Sequence, residues 1–235
     1  LGGFYALIAL GYTMVFGIIQ LINFAHGEFY AAGGYMGVIL LAYCASQGYL
    51  ESHPYLCIGG SFLLAMGYCA MLAMAVEKVA YMPLRNASRL SMLLSALGMS
   101  IFLQNGMMLT QGEQVKTFPS VIKAGNVYEN GLVSISYMQV ITVSITVLLL
   151  VSLNILVFRT KIGKAMRATA QDKVMAALVG INANRVISTT FAIGAGLAAA
   201  AGILAGIYYG GVRYDMGFVP GIKAFAAAVL GGIGN

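Results

Sequence analysis

Long runs of apolar residues recur along the whole chain and are separated by short polar segments. A run of about 20 apolar residues is long enough to cross the hydrocarbon core of a bilayer as an α-helix. A further apolar segment begins near Val219. The pattern predicts an all-α, polytopic helical membrane protein with about six complete spans and a truncated seventh. The complete spans are predicted at residues 3–22, 28–48, 55–77, 90–110, 137–158 and 186–209.

Composition supports a single transmembrane domain over residues 1–235. The chain is 60% hydrophobic and 9% charged, whereas soluble domains contain about 25% charged residues. No segment is polar enough to cover a large soluble core. Both ends of the chain fall inside apolar runs, "LGGFYALIALGY" and "AAVLGGIGN", so we expect a fragment that lacks both ends.

Charged residues are concentrated in the polar segments and predict the topology. Segments 77–89 and 159–185 are basic, whereas segment 111–136 carries equal numbers of acidic and basic residues. The positive-inside rule makes the two basic segments cytoplasmic and segment 111–136 a periplasmic loop. Residues 210–218 should then also lie outside. Because the positive charge is explained by topology, the net charge of +6 does not indicate a nucleic-acid partner.

The periplasmic loop is the stretch of the chain that most resembles a soluble protein. It contains Asn130-Gly131, a turn dipeptide, followed by the alternating stretch "GLVSIS". This combination predicts a short strand or a hairpin.

Small residues recur every four positions in the last complete span. On a helix this spacing places them along one face, where a neighbouring helix can approach closely. We interpret the pattern as helix packing rather than as a functional site. The residues are Gly194, Ala198, Gly202, Gly206 and Gly210.

The cytoplasmic segment 161–185, "KIGKAMRATAQDKVMAALVGINANR", is too polar to span a membrane. Ala168, Asp172, Ala176 and Gly180 recur at spacing four, which predicts one short helix with a shallow face of small residues. Gly180, followed by Ile181-Asn182, predicts a left-handed helix stop. The residues alone leave two interpretations open: an amphipathic helix on anionic headgroups, or a docking helix for a partner protein.

The stretch "LINFAHGEFYAAGG" at 21–34 places titratable residues in an apolar run. It is predicted to form either a tight turn near the cytoplasmic edge or a broken helix whose break is buried in the protein. Asn23 is a suitable N-cap for a helix that begins at Phe24. We take Asn23, His26, Gly27 and Glu28 as candidate pathway or helix-junction residues. They could satisfy backbone groups at the junction, contact substrate (Glu28 meeting an α-ammonium) or gate transport.

Several stretches resemble the branched-chain amino acid permeases of bacterial ATP-binding-cassette (ABC) importers. They are "GYTMVFGIIQLINFAHGEFYAAGGYMG" at 11–37, "MPLRNASRLSMLLSALGMSIFLQN" at 82–105, "GKAMRATAQDKVMAALVGINANRVISTTFAIGAGLAAAAGILAGIYYG" at 163–210 and "GFVPGIKAFAAAVLGGIGN" at 217–235. Together they cover nearly all of the chain, and the resemblance is closest to the first of the two permease subunits that such importers pair.

The resemblance implies a multi-pass permease of the bacterial inner membrane that moves leucine, isoleucine or valine inward. It also implies a second permease subunit, two cytoplasmic ATP-binding subunits and a periplasmic substrate-binding protein. Segment 163–182 would be the coupling helix that sits in a groove of an ATPase subunit, with the family pattern on Ala168, Asp172, Ala176, Gly180 and Asn182. ATP would be used by the partner subunits, so we expect no cofactor in this chain.

Sequence motifs for catalysis are missing from the chain. It contains no G-x-x-x-x-G-K-[ST], G-x-S-x-G or H-E-x-x-H pattern, and we expect no catalytic residue and no metal site. Three alternatives remain open: a related permease for urea or short amides, an ion-coupled secondary transporter that would depend on Glu28, and a passive channel. We place the transport pathway between the glycine-interrupted segments 17–37 and 205–234 and the equivalent elements of the second permease.

Overall fold

The computed structural model describes residues 2–20, 22–85, 87–119, 125–130 and 133–233. Within these ranges the chain is mainly helical, with short strands in its polar loops. The helices are α1 (Gly2–Ile19), α2 (His26–Ser46), α3 (Tyr49–Ser52), α4 (Pro54–Val76), α5 (Arg89–Gln111), α6 (Tyr137–Arg159), α7 (Lys161–Gln171), α8 (Lys173–Leu178), α9 (Ala183–Tyr209) and α10 (Phe218–Leu230). The strands are β1 (Lys116–Thr117), β2 (Asn126–Asn130), β3 (Val133–Ser136) and β4 (Gly211–Val212).

The six predicted spans are confirmed as helices. Within the described ranges, six helices are long and apolar enough to cross a membrane: α1, α2, α4, α5, α6 and α9. Helix α4 continues beyond its predicted end through a π-helical turn, Glu77–Tyr81, and a 3₁₀ turn, Met82–Leu84. The seventh apolar segment forms α10, which begins at Phe218 and has 13 residues.

Helix α9 forms the centre of the bundle and is surrounded by α1, α2 and α4. Helix α1 runs antiparallel to it, because Phe4 contacts Tyr208 at the end of α9 with ring centroids 5.8 Å apart, whereas Gly11 lies against Gly194 near its middle. Helix α2 runs parallel to α9. Helices α1 and α2 are therefore two antiparallel spans that pack on a common partner.

The small-residue face of α9 brings α2 into backbone contact. A Cβ on Gly202 would lie 2.9 Å from the carbonyl carbon of Tyr30 and 3.0 Å from the amide nitrogen of Gly34. Ala198 is fully buried in the same core. Gly210 does not share this face: it ends α9 with a φ of +78°, and a Cβ there would meet nothing. The spacing rule fails at Gly210 because the helix has already ended.

Two antiparallel strand pairs lie at one end of the bundle. Strand β1 pairs with β4, with Lys116 opposite Val212, and β2 pairs with β3. The predicted hairpin is therefore present, although residues 131 and 132 of its turn lie outside the described ranges. Because β1 and β4 pair, the loop 111–136 and the start of segment 210–218 lie on the same side, as the charge pattern predicts.

Side-chain caps fix the beginnings of several helices. Each capping oxygen accepts a hydrogen bond from a backbone N–H in the first turn, which has no partner inside the helix. Ser136 also forms a capping box with Gln139 at the start of α6. The other capping residues are Ser88 for α5, Thr160 for α7, Asp172 for α8 and Asn182 for α9.

Candidate functional site

The junction between α1 and α2 is buried. Helix α2 begins at His26, with Ala25 before it and no side-chain cap. Asn23 is not the N-cap that its residue type favours, because its Oδ1 accepts a hydrogen bond from the Tyr81 hydroxyl at 2.6 Å. The hydrogen bond from Tyr81 thus occupies the Asn23 oxygen that would otherwise cap the helix.

Glu28 shows how deep this junction lies. Its Oε1 accepts a hydrogen bond from the Ser100 hydroxyl at 3.1 Å, and Ser100 lies midway along α5. Its neighbour His26 packs beside Gly11, which contacts Gly194 near the middle of α9. Helix α2 therefore begins near mid-depth in the bundle rather than at its edge. The structure combines parts of the two predicted placements: α1 and α2 are two antiparallel helices, as the turn requires, and the start of α2 is buried in the protein, as the broken helix requires.

Helix α10 begins at the same level. The chain after β4 turns back into the bundle, and the carbonyl oxygen of Gly217 would lie 2.5 Å from a Cβ on Gly27. The Cα of Gly221 would lie 3.3 Å from that Cβ. Only residues without side chains allow the two helix starts to touch in this way. The prediction that all of segment 210–218 lies outside the bundle is therefore wrong at Gly217, which touches the start of α2. The distribution of charge predicts on which side a loop lies, but it does not predict that part of the loop turns back into the bundle.

A cavity of about 380 Å³ lies where the two helix starts meet. It joins the two segments that the sequence predicts to border a transport pathway, 17–37 and 205–234, and adds one wall from α5. Most of its lining is apolar. The lining residues are Tyr12, Phe24, Gly27, Glu28, Leu97, Ser100, Gly217, Phe218, Gly221, Ile222 and Phe225.

Glu28 supplies the charge that this cavity can present. Its side chain is 1% exposed, and within the described ranges its Oε2 is buried and has no hydrogen-bond partner. The dipoles of α2 and α10 add partial positive charge at the first turns of these helices. The cavity can therefore interact with both signs of charge.

His26 lies behind this cavity and does not line it. Its ring is buried against Tyr12, with ring centroids 4.7 Å apart, and against Phe29. A Cβ on Gly11 would lie 2.5 Å from His26 Cε1, so this position has room only for glycine. His26 therefore packs against neighbouring side chains outside the cavity, and Glu28, which lines the cavity, is the candidate for contact with a ligand.

A second buried charge lies where α4 ends. Glu77 is 0% exposed and forms an ion pair with Arg85, and its other oxygen accepts a hydrogen bond from the Ser188 hydroxyl at 2.6 Å. Arg85 also donates to the side chain of Asn184. This cluster, Glu77–Arg85–Asn184–Ser188, connects the π-helical turn to the first turns of α9. Such turns are frequent at functional sites.

The predicted coupling segment consists of two helices rather than one. Asp172 is extended, with φ −154° and ψ 113°, and its Oδ1 accepts hydrogen bonds from Val174 N at 2.7 Å and Met175 N at 3.0 Å. The chain therefore breaks at Asp172, and Ala168 does not share a helical face with Ala176 and Gly180. The spacing argument fails because Asp172 caps a new helix instead of continuing the first.

The end of this segment agrees with its sequence signals. Gly180 has a φ of +85°, and Ile181 N donates back to the carbonyl of Ala176 at 2.9 Å, so the helix stops in a left-handed residue as predicted. Asn182 then caps α9 through Arg185 N at 3.1 Å. Asn182 therefore fixes the start of the central helix.

Helix α8 exposes large apolar side chains outside the spans. Ala176 is buried and points into the protein, whereas the large apolar side chains around it are exposed. Burial and the Arg85 charge, in that order, lower the pKa of Lys173. The exposed residues, which we call the α8 face, are Val174, Met175, Leu178 and Val179.

Tyr12, Tyr81 and Ser100 are site residues that the sequence does not single out. Tyr12 and Ser100 are polar residues inside apolar runs, a pattern equally typical of a satisfied hydroxyl in a membrane helix, and Tyr81 lies in the basic segment 77–89. Only the fold brings Tyr81 to Asn23 and Ser100 to Glu28.

Comparison with known proteins decides the family. The family model described as "Branched-chain amino acid transport system / permease component" matches residues 1–235. The chain belongs to this family. It is 46% identical over 238 residues to the high-affinity branched-chain amino acid transport system permease protein BraD of Pseudomonas aeruginosa, covering all of this chain and 76% of BraD.

Other permeases of the family are also similar. The high-affinity branched-chain amino acid transport system permease protein LivH of Escherichia coli K12 is 45% identical over 238 residues, covering all of this chain and 77% of LivH. A probable LivH of Methanocaldococcus jannaschii is 25% identical over 236 residues, covering 97% of this chain and 70% of that protein. No solved structure matches the chain significantly. This permease is thus an integral membrane component of a transport system.

Proposed function

We propose that this chain is the membrane-spanning permease subunit of an ATP-driven ABC importer that moves leucine, isoleucine and valine inward across the bacterial plasma membrane. Family membership and the names of the 45–46% identical relatives support this substrate class. The structural observation that carries the proposal is the cavity at Glu28, where the starts of α2 and α10 meet near mid-depth.

The cavity suits the physical task of moving a small apolar amino acid. A charged group at the centre of a bilayer costs several kcal/mol. Helix termini and a buried carboxylate lower that cost by interacting with each charge of a zwitterion. The volume of about 380 Å³ is within the range of ligand sites. An aliphatic side chain fits the apolar lining better than urea or a short amide would.

A second permease subunit would complete the pathway. Leu97, Phe218 and Ile222 line the cavity and are each about half exposed, so its open side faces the surface of this chain. We infer that the second permease covers this side. A substrate-binding protein would deliver the amino acid at the periplasmic end, where loop 111–136 lies, and segments 77–89 and 159–185 would face the cytoplasm.

Two ATP-binding subunits would drive the cycle through the segment 161–185. The α8 face offers the apolar contact that a protein partner buries, and Gly180 and Asn182 set the geometry between α8 and α9. Movement of α8 would pass directly into α9, whose residues Asn184 and Ser188 belong to the cluster with Glu77. This route favours docking over headgroup contact, and the chain itself would hold no cofactor and catalyse no reaction.

Replacing Met175 with glutamate should abolish ATP-driven uptake while leaving membrane insertion intact. Met175 is exposed on the α8 face, and a carboxylate there would have to be desolvated when an ATPase subunit docks. The experiment uses the complete transporter in proteoliposomes with ATP inside, binding protein and radiolabelled leucine outside, and no ion gradient. The conservative variant Met175→Leu should transport normally.

Each possible failure in this assay has a separate meaning. If the wild-type transporter takes up leucine only with a proton or sodium gradient, the chain is a secondary transporter and the proposed function is wrong. If uptake is ATP-driven and Met175→Glu transports like the wild type, only the docking surface is wrong.

A further inference from the structure

The lone Oε2 of Glu28 requires a partner that the described part of the chain does not supply. The Glu28 carboxylate is almost fully buried. Its Oε1 accepts a hydrogen bond from Ser100, whereas within the described residues its Oε2 has no hydrogen-bond partner. Among the described residues that line the cavity, none is a lysine, an arginine or a histidine. An unpaired buried carboxylate oxygen is costly, so a hydrogen-bond donor that reached it from the cavity would stabilise it.

The start of α10 supplies the opposite charge. Gly217 precedes the helix without a side-chain cap, and the first turn contains no acidic residue. Pro220 has no N–H, and the Phe218 N–H donates to the carbonyl of Asp215 at 3.2 Å, so the Val219 N–H and the dipole of the 13-residue helix are what favour an anion there. Gly217 and Glu28 line the same cavity, so a ligand inside it can reach both groups.

The other residues that line the cavity determine which kind of ligand side chain fits beside its two charged groups. Leu97, Ile222 and Phe225 line the cavity and carry no hydrogen-bonding side-chain group. A ligand that matches the lining has an ammonium group, a carboxylate and a short apolar side chain. A cation without an apolar part would leave these walls in contact with water.

We propose that the cavity is a zwitterion-binding site in which Glu28 Oε2 accepts a hydrogen bond from the substrate α-ammonium, the α10 N-terminus receives the α-carboxylate, and Leu97, Ile222 and Phe225 contact the side chain. This inference rests on the proposed function and deepens it, because it adds a recognition step inside the permease. Selection would then continue within the membrane after delivery.

Analogues of leucine test the site in the wild-type protein. The complete transporter, in lipid nanodiscs without binding protein or ATP, is titrated with radiolabelled leucine, and unlabelled analogues compete. Isopentylamine keeps the ammonium, and 4-methylpentanoate keeps only the carboxylate. We expect isopentylamine to compete at least tenfold better than 4-methylpentanoate, because only the amine partners the bare carboxylate oxygen. Equal competition by the two analogues would overturn the proposal.

Glu28→Gln tests the residue itself. It should weaken leucine binding about 10- to 100-fold, the effect of one charge-assisted hydrogen bond, and should remove the preference for the amine. Thr142→Val is the matched control, because Thr142 is also buried with an unpartnered oxygen but lies outside the cavity. The control should bind leucine like the wild type.

The outcomes separate this inference from the proposed function. A Glu28→Gln transporter that assembles and binds leucine with wild-type affinity would overturn the zwitterion site. If that variant fails to assemble, the analogue comparison in the wild type still decides. ATP-driven leucine uptake by the wild type in proteoliposomes tests the proposed function independently of either result.

Discussion

Replacing Arg85 with methionine should destabilise the chain by about 3–5 kcal/mol, the usual cost of removing one partner from a buried ion pair. Arg85 itself is 19% exposed at its side chain, but its partner Glu77 is 0% exposed. The variant would leave a fully buried carboxylate held only by Ser188. The free energy of unfolding in mixed detergent micelles, followed by circular dichroism, measures the effect.

The double variant Glu77→Gln/Arg85→Met should recover most of the lost stability, because it removes the unpaired charge together with its partner. Arg213→Met is a matched control in the exposed pair Arg213–Asp215, where solvent screens the charges. It should have little effect on unfolding. Equal loss of stability in Arg85→Met and Arg213→Met would contradict the buried-pair account.

Gly202→Ala should destabilise the chain by about 3 kcal/mol, the upper end of the range for overpacked cores. The added methyl group would meet the backbone of Tyr30 and Gly34 on α2. Backbone atoms inside a helix cannot move aside as a flexible side chain can, so α2 and α9 must separate. The midpoint of thermal unfolding of the purified chain in detergent measures this loss.

Gly196 provides the control on the same helix. A Cβ there would meet Met66 only at ordinary contact distances, 3.7 Å or more. Gly196→Ala should therefore be neutral or stabilise α9 by up to about 1 kcal/mol, the gain in helix propensity. If the two variants unfold at the same temperature, close packing of α2 on α9 is not what requires Gly202.

The membrane spans could be predicted from the sequence, because any helix that crosses the hydrocarbon core must be long and apolar, whichever helices it packs against. The depth at which a helix begins could not be predicted from the sequence in the same way. Charge patterns show on which side a loop lies, but they do not show that α2 and α10 begin near mid-depth. That result depends on Gly27, Gly217 and Gly221 touching, and glycines elsewhere in the chain, such as Gly59, meet nothing.

Predictions from short sequence patterns were wrong where one side chain could make two different interactions. In one case a local cap competes with a tertiary hydrogen bond, and in the other helix spacing competes with a cap. Asn23 is a favoured cap, yet its side chain bonds to Tyr81, 58 residues away. Asp172 fits the spacing of one continuous helix, yet it also fits the cap of a new one, and the cap prevails. Ser100 gave no signal, because its role appears only when α5 lies beside Glu28.

The central claim is that substrate passes through the cavity at Glu28, and filling that cavity tests it most directly. Leu97→Trp places a large ring in the cavity wall, whereas Leu94→Trp adds the same bulk one turn earlier on α5, at an exposed residue outside the lining. ATP-driven leucine uptake is measured for both in proteoliposomes that contain equal amounts of assembled transporter. We predict that Leu97→Trp loses at least nine-tenths of the uptake and that Leu94→Trp retains it, whereas normal uptake by Leu97→Trp would contradict the pathway.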